Sequence, residues 1–212
     1  MSAEQVPVLI DGEAASGPTL VLAHGAGGPM DSPFMAQMAA ALASRGLRVV
    51  RFEFPYMRRA RLTGGRGRPD STEALCRSWV EVIGQLGGGR DLVIGGKSMG
   101  GRIASMVADA QEVQGLVCLG YPFHPTGQPE RLRTAHLREL RTPCLIVQGS
   151  RDSFGSREEI AGYALSKAIE LLFLEDGDHS FKPRKSSGFS PEEHFQRAVE
   201  AVAAFCRRLF PK

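Results

Sequence analysis

One stretch constrains the fold more than any other. An apolar run, Leu92 to Ile94, leads into Gly96-Lys97-Ser98-Met99-Gly100, and a helical pattern follows. A serine between two such glycines, placed between a strand and a helix, is typical of a nucleophile on a tight turn. The glycines are needed because a side chain at either position would clash with neighbouring backbone. The pattern predicts that Ser98 projects from a strand end, beside the positive N-terminal end of a helix.

Two phosphate-binding motifs do not match this stretch. A P-loop needs glycine five residues before the Gly-Lys pair, and Asp91 occupies that position. A dinucleotide fingerprint needs glycine where the chain has Lys97. The remaining alternative is a chance match in a chain with 25 glycines. The residues at the other strand ends distinguish a chance match from a catalytic motif.

Apolar runs alternate with helical patterns along the chain. Besides the strand before Ser98, strands are expected at 6–10, 19–23, 47–54, 115–119, 143–148 and 169–174. Helices are expected at 34–44, 70–86, 103–110, 130–140, 157–166 and from 191 through 205. Apolar strands that alternate with helices indicate a parallel sheet covered on both faces. The prediction is an α/β fold: one domain, residues 1–212, with a mostly parallel sheet of about six to seven strands.

Function in such a sheet lies at the carboxyl ends of the strands. Asp152 follows the strand at 143–148, and His179 follows the last strand. With Ser98 they form the order nucleophile, acid, base, in which the base takes the nucleophile's proton and the acid orients the base. Asp178 is the reserve acid, but it is poorly placed because it adjoins His179. Three such residues at three strand ends predict a catalytic triad.

A small-residue loop, His24-Gly25-Ala26-Gly27-Gly28, follows the strand at 19–23. In a hydrolase with this type of turn, such a loop supplies one backbone N–H of the oxyanion hole, and the residue after the nucleophile supplies the other. The predicted donors are therefore Met99 and either Ala26 or Gly27. Each donor contributes about 3 kcal/mol of transition-state stabilisation. A plain glycine turn is the alternative.

At this point the chain resembles the α/β-hydrolase superfamily, from Thr19 to the C-terminal helix. It is similar to small, cap-less predicted hydrolases near the dienelactone hydrolases. That group also includes a relative of a scaffold subunit in an animal histone acetyltransferase complex. The resemblance implies the same triad but no settled substrate, and dienelactone hydrolases proper use cysteine where this chain has serine. Besides the motifs above, it rests on the segments Phe52-Glu53-Phe54-Pro55-Tyr56, Gly120-Tyr121-Pro122-Phe123-His124-Pro125 and Gly149-Ser150-Arg151-Asp152.

The segment that would carry a lid is short. Only 23 residues, 120–142, separate the strand at 115–119 from the strand that bears the acid. We therefore expect no separate cap domain and a shallow, open pocket. Phe123 and His124 are predicted to wall it, with a core position as the alternative for Phe123. Glu53 is a candidate for binding a polar substrate group, with a solvated strand-end carboxylate as the alternative.

The segment 57–70 is predicted to be a basic loop, with five arginines between Arg58 and Arg68. With Arg102, Lys182, Arg184 and Lys185 it would surround the site with positive charge and favour anionic acyl substrates. A solvated loop is the alternative. Nucleic acid is not an expected partner, because no aromatic residues interleave the arginines.

The composition is consistent with an enzyme that needs no cofactor. No apolar run of about 18 residues is present, so no membrane association is expected. The four cysteines have no metal-ligand spacing, and Met1 to Gln5 do not form a secretory signal, which together favour the cytoplasm. We expect neither a metal nor an organic cofactor, and the oligomeric state is left open. The predicted function is hydrolysis of an ester, thioester or related acyl bond through an acyl-enzyme on Ser98. A non-catalytic scaffold domain is the alternative.

Overall fold

The computed structural model of the protein describes residues 5–13, 18–65 and 67–211. Its strands are β1 (Val8–Asp11), β2 (Thr19–Ala23), β3 (Arg48–Phe52), β4 (Leu92–Lys97), β5 (Gly115–Leu119), β6 (Cys144–Gly149) and β7 (Ile169–Leu174). Its helices are α1 (Pro33–Ala43), α2 (Pro55–Thr63), α3 (Thr72–Gln85), α4 (Met99–Val107), α5 (Arg157–Ile160) and α6 (Pro191–Leu209). A 3-10 helix lies at Ala135–Arg138.

The strands form one sheet in the order β1-β3-β2-β4-β5-β6-β7. The edge strand β1 is antiparallel to β3, and all other neighbours are parallel. β3 lies on one side of β2 and β4 on the other, so the winding of the chain reverses there. In such sheets the crevice at this reversal, beyond the carboxyl ends of the strands, is where ligands bind. The predicted mostly parallel α/β-hydrolase sheet is confirmed.

Helices cover both faces of the sheet because alternate strand residues point to opposite sides. Val21 packs into a core with α3 and α4, whereas Leu20 and Leu22 pack into a second core with α1 and α6. The two fully buried layers fix the position of the central strands. The carboxyl ends of β2 and β4 are therefore held in place by packing on both faces.

The basic segment 57–70, predicted to be a loop, instead begins with a helix. Pro55 opens α2 at its first turn, and Gly64 closes it in the left-handed region at φ 68°. Tyr56 and Ala60, four residues apart, supply the buried face of α2. Arginine is a good helix former, so the arginines occupy the exposed side at little cost. Arg66, also part of the predicted loop, lies outside the described residues.

Two further helices are shorter than predicted. The polar helix expected before β6 is only a 3-10 helix, since the N–H of Arg133 donates to the carbonyl of Phe123 at 2.7 Å rather than within a helix. The helix expected at 157–166 stops at Ile160, and Gly162, a poor helix former, follows.

The segment between β5 and β6 forms no cap over the sheet. Its 3-10 helix is the one regular element in residues 120–142, all of which are described. The carboxyl edge of the sheet is therefore left open at the crevice.

Among the helices of the described ranges, none is both long and apolar enough to cross a bilayer.

Candidate active site

Ser98 lies on a strained turn between β4 and α4. Its backbone is in a sparsely populated conformation, with φ 52° and ψ −115°, which costs on the order of 1–3 kcal/mol. The expected need for glycines is confirmed. A Cβ on Gly96 or Gly100 would lie 2.2 or 2.4 Å from the carbonyl oxygen of Ala23. Helix α4, predicted to begin at residue 103, begins directly after Ser98, so its N-terminal end faces the hydroxyl.

The side chains of Ser98, His179 and Asp152 form one hydrogen-bonded chain. The Nε2 atom of His179 is 2.9 Å from Oγ of Ser98, and its Nδ1 atom is 2.7 Å from Oδ2 of Asp152. A carboxylate only accepts, so Nδ1 carries the proton and Nε2 is free to accept the hydroxyl proton. The structure thus brings together the three residues predicted as the triad.

The carboxylate of Asp152 is held on both oxygens. The side chain is buried, and Oδ2 also accepts from the amide of Gln148 at 3.0 Å, while Oδ1 accepts from the N–H of Phe154 at 2.8 Å. These bonds satisfy both carboxylate oxygens and fix the direction of the side chain. Asp178, the reserve acid, instead accepts from the backbone N–H groups of Ser180 and Lys182 and orders the histidine loop.

The loop after β2 is held by polar contacts to the end of β3. The buried His24 ring donates from Nδ1 to the carbonyl of Gly25 at 2.7 Å, and its Nε2 accepts from the N–H of Phe54 at 3.2 Å. Burial lowers the pKa of His24, which keeps this ring neutral near pH 7. The hydroxyl of Tyr56 donates to the carbonyl of Ala26 at 3.0 Å. The carbonyls of Gly25 and Ala26 are therefore both engaged in hydrogen bonds to side chains.

The residues predicted to form the oxyanion hole lie around the nucleophile. Ala26 and Gly27 line the same pocket as Ser98. Met99 opens α4, so its N–H has no acceptor within the helix. Their role as donors stays a prediction.

A pocket of about 650 Å³ opens at Ser98 and His179. It lies at the crevice between the carboxyl ends of β2 and β4. One wall is the loop after β2, and the start of α1 and the histidine loop form the others. The remaining lining residues are Gly25, Gly28, Ser32, Pro33, Phe34, Met35, Gln37, Lys97, Phe154, Ser180 and Lys182.

Phe123 and His124 do not line this pocket, contrary to the sequence-based expectation. Phe123 is fully buried between the rings of Tyr121 and Tyr163, at centroid distances of 4.8 and 5.7 Å. His124 is also buried, with its Nε2 atom 3.4 Å from the carboxylate of Glu159. The loop after β5 turns these side chains into the core, which was the alternative for Phe123.

Glu53 and the arginines of α2 are also outside this pocket. Glu53 is buried, and its carboxylate pairs with Arg61 at 2.5 Å. Arg61 in turn pairs with Asp31 at 2.8 Å. Glu53 and Arg61 line a separate cavity of about 550 Å³ with Arg58 and other residues. The predicted contact between Glu53 and a substrate at Ser98 is therefore not supported.

Fewer positively charged side chains lie at the pocket than the sequence predicted. Arg59 pairs with Asp70 at 2.5 Å, and Arg184 donates to Asp176 at 2.7 Å. Of the cations predicted to surround the site, Lys182 is the one that lines the pocket within the described residues. Arg59, Arg61 and Arg184 are held in ion pairs away from the pocket, and such pairing cannot be read from a run of like charges.

Three residues of the site were not singled out from sequence. Phe154 lies against His179, with ring centroids 4.4 Å apart, and Phe34 lines the pocket from α1. Lys97 donates from Nζ to the main-chain carbonyl of His179 at 2.7 Å. Burial lowers the pKa of the Lys97 amine to about 8, although Asp152 and Asp178 raise it. In the sequence, only position could have indicated two of these residues. Lys97 directly precedes the predicted nucleophile, and Phe154 lies two residues after the predicted acid.

Comparisons with known proteins agree with this fold. A family model described as an alpha/beta hydrolase domain matches residues 16–207. A solved alpha-beta serine hydrolase homologue from Coxiella burnetii is 20% identical, with 96% of this chain and 91% of that chain covered and a TM-score of 0.65. A serine hydrolase without a lid from Xanthomonas campestris is 20% identical, with 95% and 86% covered and a TM-score of 0.64. A dienelactone hydrolase from Anabaena variabilis is 19% identical, with 93% and 89% covered and a TM-score of 0.68. At these identities the structural likeness concerns the fold.

Proposed function

Because the chain belongs to the alpha/beta hydrolase domain family, we propose that it is a serine hydrolase that cleaves an ester, thioester or related acyl bond. The observation that carries the proposal is the hydrogen-bonded chain from Asp152 through His179 to Ser98. Each of these residues follows a different strand. The fold itself does not require the side chains at three strand ends to be joined by such hydrogen bonds.

The reaction follows from the direction of these hydrogen bonds. Nε2 of His179 takes the proton of Ser98 as Oγ attacks the acyl carbon, and the carbonyl electrons move to oxygen. When the tetrahedral intermediate collapses, the bond to the leaving group breaks and His179 returns the proton to the departing alcohol or thiol. An acyl-enzyme remains on Ser98.

Water then completes the cycle. His179 removes a proton from water as its oxygen attacks the acyl carbon, and the second intermediate releases the carboxylic acid and Ser98 Oγ, which regains the proton. Asp152 keeps the imidazole in the tautomer that both half-reactions need. The N–H groups of Met99 and of Ala26 or Gly27 are the proposed donors to the oxyanion, each contributing about 3 kcal/mol.

The charge of the pocket favours a substrate with an anionic group. Its described lining includes Lys97 and Lys182 but no carboxylate. An anion entering this pocket meets no like charge, and an exposed lysine at the rim attracts it. Lys182 is that exposed residue. We therefore propose an acyl compound that carries a carboxylate or a similar anion.

A fluorophosphonate probe tests the proposed reaction. Labelling at neutral pH should be lost in Ser98→Ala, which lacks the attacking oxygen. The matched control is Ser44→Ala, at the opposite end of α1 from the pocket, which should label like the wild type. Absence of labelling in folded wild-type protein would contradict catalysis and favour the scaffold alternative. The resemblance to a scaffold subunit stays a prediction.

A further inference from the structure

The amine of Lys97 lies against the histidine loop at the wall of the pocket. Its Nζ atom lies 2.7 Å from the main-chain oxygen of His179, and 5.9 and 5.6 Å from the ring centroids of Phe34 and Phe181. A Cβ on Gly120 would lie 2.9 Å from the same nitrogen. The amine therefore lies close to two rings, a glycine and one carbonyl, while the lysine also lines the pocket.

This position is unfavourable for a lysine. Among the described residues, the carbonyl of His179 is its one hydrogen-bond acceptor. Burial lowers the pKa of the amine to about 8, against the opposing effect of Asp152 and Asp178. An apolar side chain would fill the space between two phenylalanine rings without the desolvation cost. A role in the reaction explains why an amine lies here.

We propose that Lys97 is a positioning residue for the general base: its hydrogen bond to the main-chain carbonyl of His179 fixes the distance between the nucleophile and the imidazole. The inference rests on the proposed function. Lys97 and Ser98 are consecutive, so the bond connects the histidine loop directly to the turn that carries the nucleophile.

Apart from the catalytic contact between His179 and Ser98, the hydrogen bonds that Asp178 and Arg151 make to the histidine loop do not reach that turn. Asp178 bonds to N–H groups within the loop. Arg151, from the loop after β6, donates to the carbonyls of Asp176 and Lys182 at 2.7 and 3.1 Å. These contacts order the loop and connect it to the neighbouring strand end. The Lys97 bond holds it against β4, where the hydroxyl is.

The size of the expected effect follows from geometry. A misplacement of about 1 Å in a catalytic group costs about 100-fold in rate. The lysine donates to the main chain of the base and not to the substrate. Its loss should therefore lower kcat with little change in KM for a small neutral ester.

The test compares Lys97→Met with the wild type on p-nitrophenyl acetate. We expect kcat to fall by about 10- to 100-fold while KM stays within about two-fold, as it should when transition-state stabilisation is lost and substrate binding is unchanged. Lys167→Met is the matched control, because this exposed lysine lies just before β7, at the amino ends of the strands and not at the carboxyl ends where the pocket is. An unchanged kcat in Lys97→Met would overturn the inference.

Chemical restoration separates positioning from general damage to the fold. Lys97→Cys should have low kcat, and alkylation with 2-bromoethylamine, which rebuilds an amine of similar length, should restore it. Wild-type protein treated identically controls for the native cysteines. Low kcat that does not recover after complete alkylation would also overturn the inference.

The pH dependence gives a third readout. The groups that face the amine are Asp152 from the loop after β6 and Asp178, His179 and Lys182 from the loop after β7, whereas α1 contributes the uncharged Phe34. Loss of the Lys97 proton above about pH 8 weakens its hydrogen bond. The wild type should therefore lose kcat above that pH, and Lys97→Met should lack this decline.

The two proposals fail in different ways. Wild-type protein that is not labelled by the fluorophosphonate probe contradicts the proposed function. Wild-type protein that is labelled, with equal kcat in Lys97→Met, contradicts only the role of Lys97.

Discussion

The ring of Phe154 covers the imidazole of His179, with centroids 4.4 Å apart and planes inclined by 44°. The N–H of Phe154 also donates to Asp152 at 2.8 Å. One residue therefore contacts both the base and the acid that orients it. Its ring forms part of the pocket wall next to the nucleophile.

Replacement of Phe154 by alanine should loosen the base without removing it. The backbone N–H remains, so Asp152 keeps its bond, but the imidazole loses the ring against which it packs. We expect kcat/KM for p-nitrophenyl acetate to fall by about 10-fold, which corresponds to about 1.4 kcal/mol, the size of one aromatic contact. Phe189→Ala is the control, since Phe189 is exposed and lies outside the pocket lining. Equal activity of both variants would contradict this role.

The identity of the acid can be tested by two conservative substitutions. Asp152→Asn should lower kcat by about 10³- to 10⁴-fold, because an amide no longer holds His179 in the required tautomer. Asp178→Asn changes the hydrogen bonds that order the loop and removes one of the charges that raise the pKa of Lys97, and we expect a far smaller loss. Steady-state kinetics on one ester distinguish them. A larger loss in Asp178→Asn would reverse the assignment.

Lys97→Met should stabilise the protein while it lowers activity. The folded-state pKa of the amine, about 8, is below the ordinary lysine value of 10.5, so the folded state binds fewer protons between these pH values. Stability of the wild type should therefore rise with pH from about 8 to 10.5. Below about pH 8 the buried charge costs on the order of 3 kcal/mol, at 1.36 kcal/mol for each pKa unit.

Urea unfolding at pH 7 and pH 10 measures this effect. The free energy of unfolding of Lys97→Met should exceed that of the wild type at pH 7, and the difference should shrink at pH 10. Lys167→Met serves again as the control, because it replaces an exposed lysine. A destabilised Lys97→Met variant would indicate a structural role for the amine.

Lys182 should discriminate between acidic and neutral substrates. If it attracts the anionic group, Lys182→Met should raise KM several-fold for a p-nitrophenyl ester whose acyl chain ends in a carboxylate. KM for the neutral ester of the same length should change little, and added salt should reduce the difference. Equal changes for both esters would exclude charge recognition by this lysine.

Much of the catalytic arrangement follows from local patterns and one topological rule. A parallel sheet places the carboxyl ends of its strands along one edge. Residues that follow separate strands, such as Ser98, Asp152 and His179, are therefore brought to one edge even though they are far apart in the chain. The glycines around Ser98 were predictable for a similar reason, since a tight strand-to-helix turn has the same steric demands in any fold.

Side-chain directions beyond the strand ends were not predictable in this way. Phe123 and Phe154 both follow a strand, yet one packs into the core and the other covers His179. The difference depends on how each loop turns and on what packs beside it. Helix α2 was missed because arginines and glycines obscured the Tyr56 and Ala60 pair that forms its buried face.

By itself, the sequence determined the α/β fold, the turn that carries the proposed nucleophile and the order of the three residues proposed as the triad. These depend on periodicity and on short motifs, which act over a few residues. Only the tertiary structure decided which charges line the pocket, that Glu53 pairs with Arg61, and that Lys97 holds the carbonyl of His179. Such contacts join segments that are distant in the chain, and their partners are set by the packing of the whole sheet.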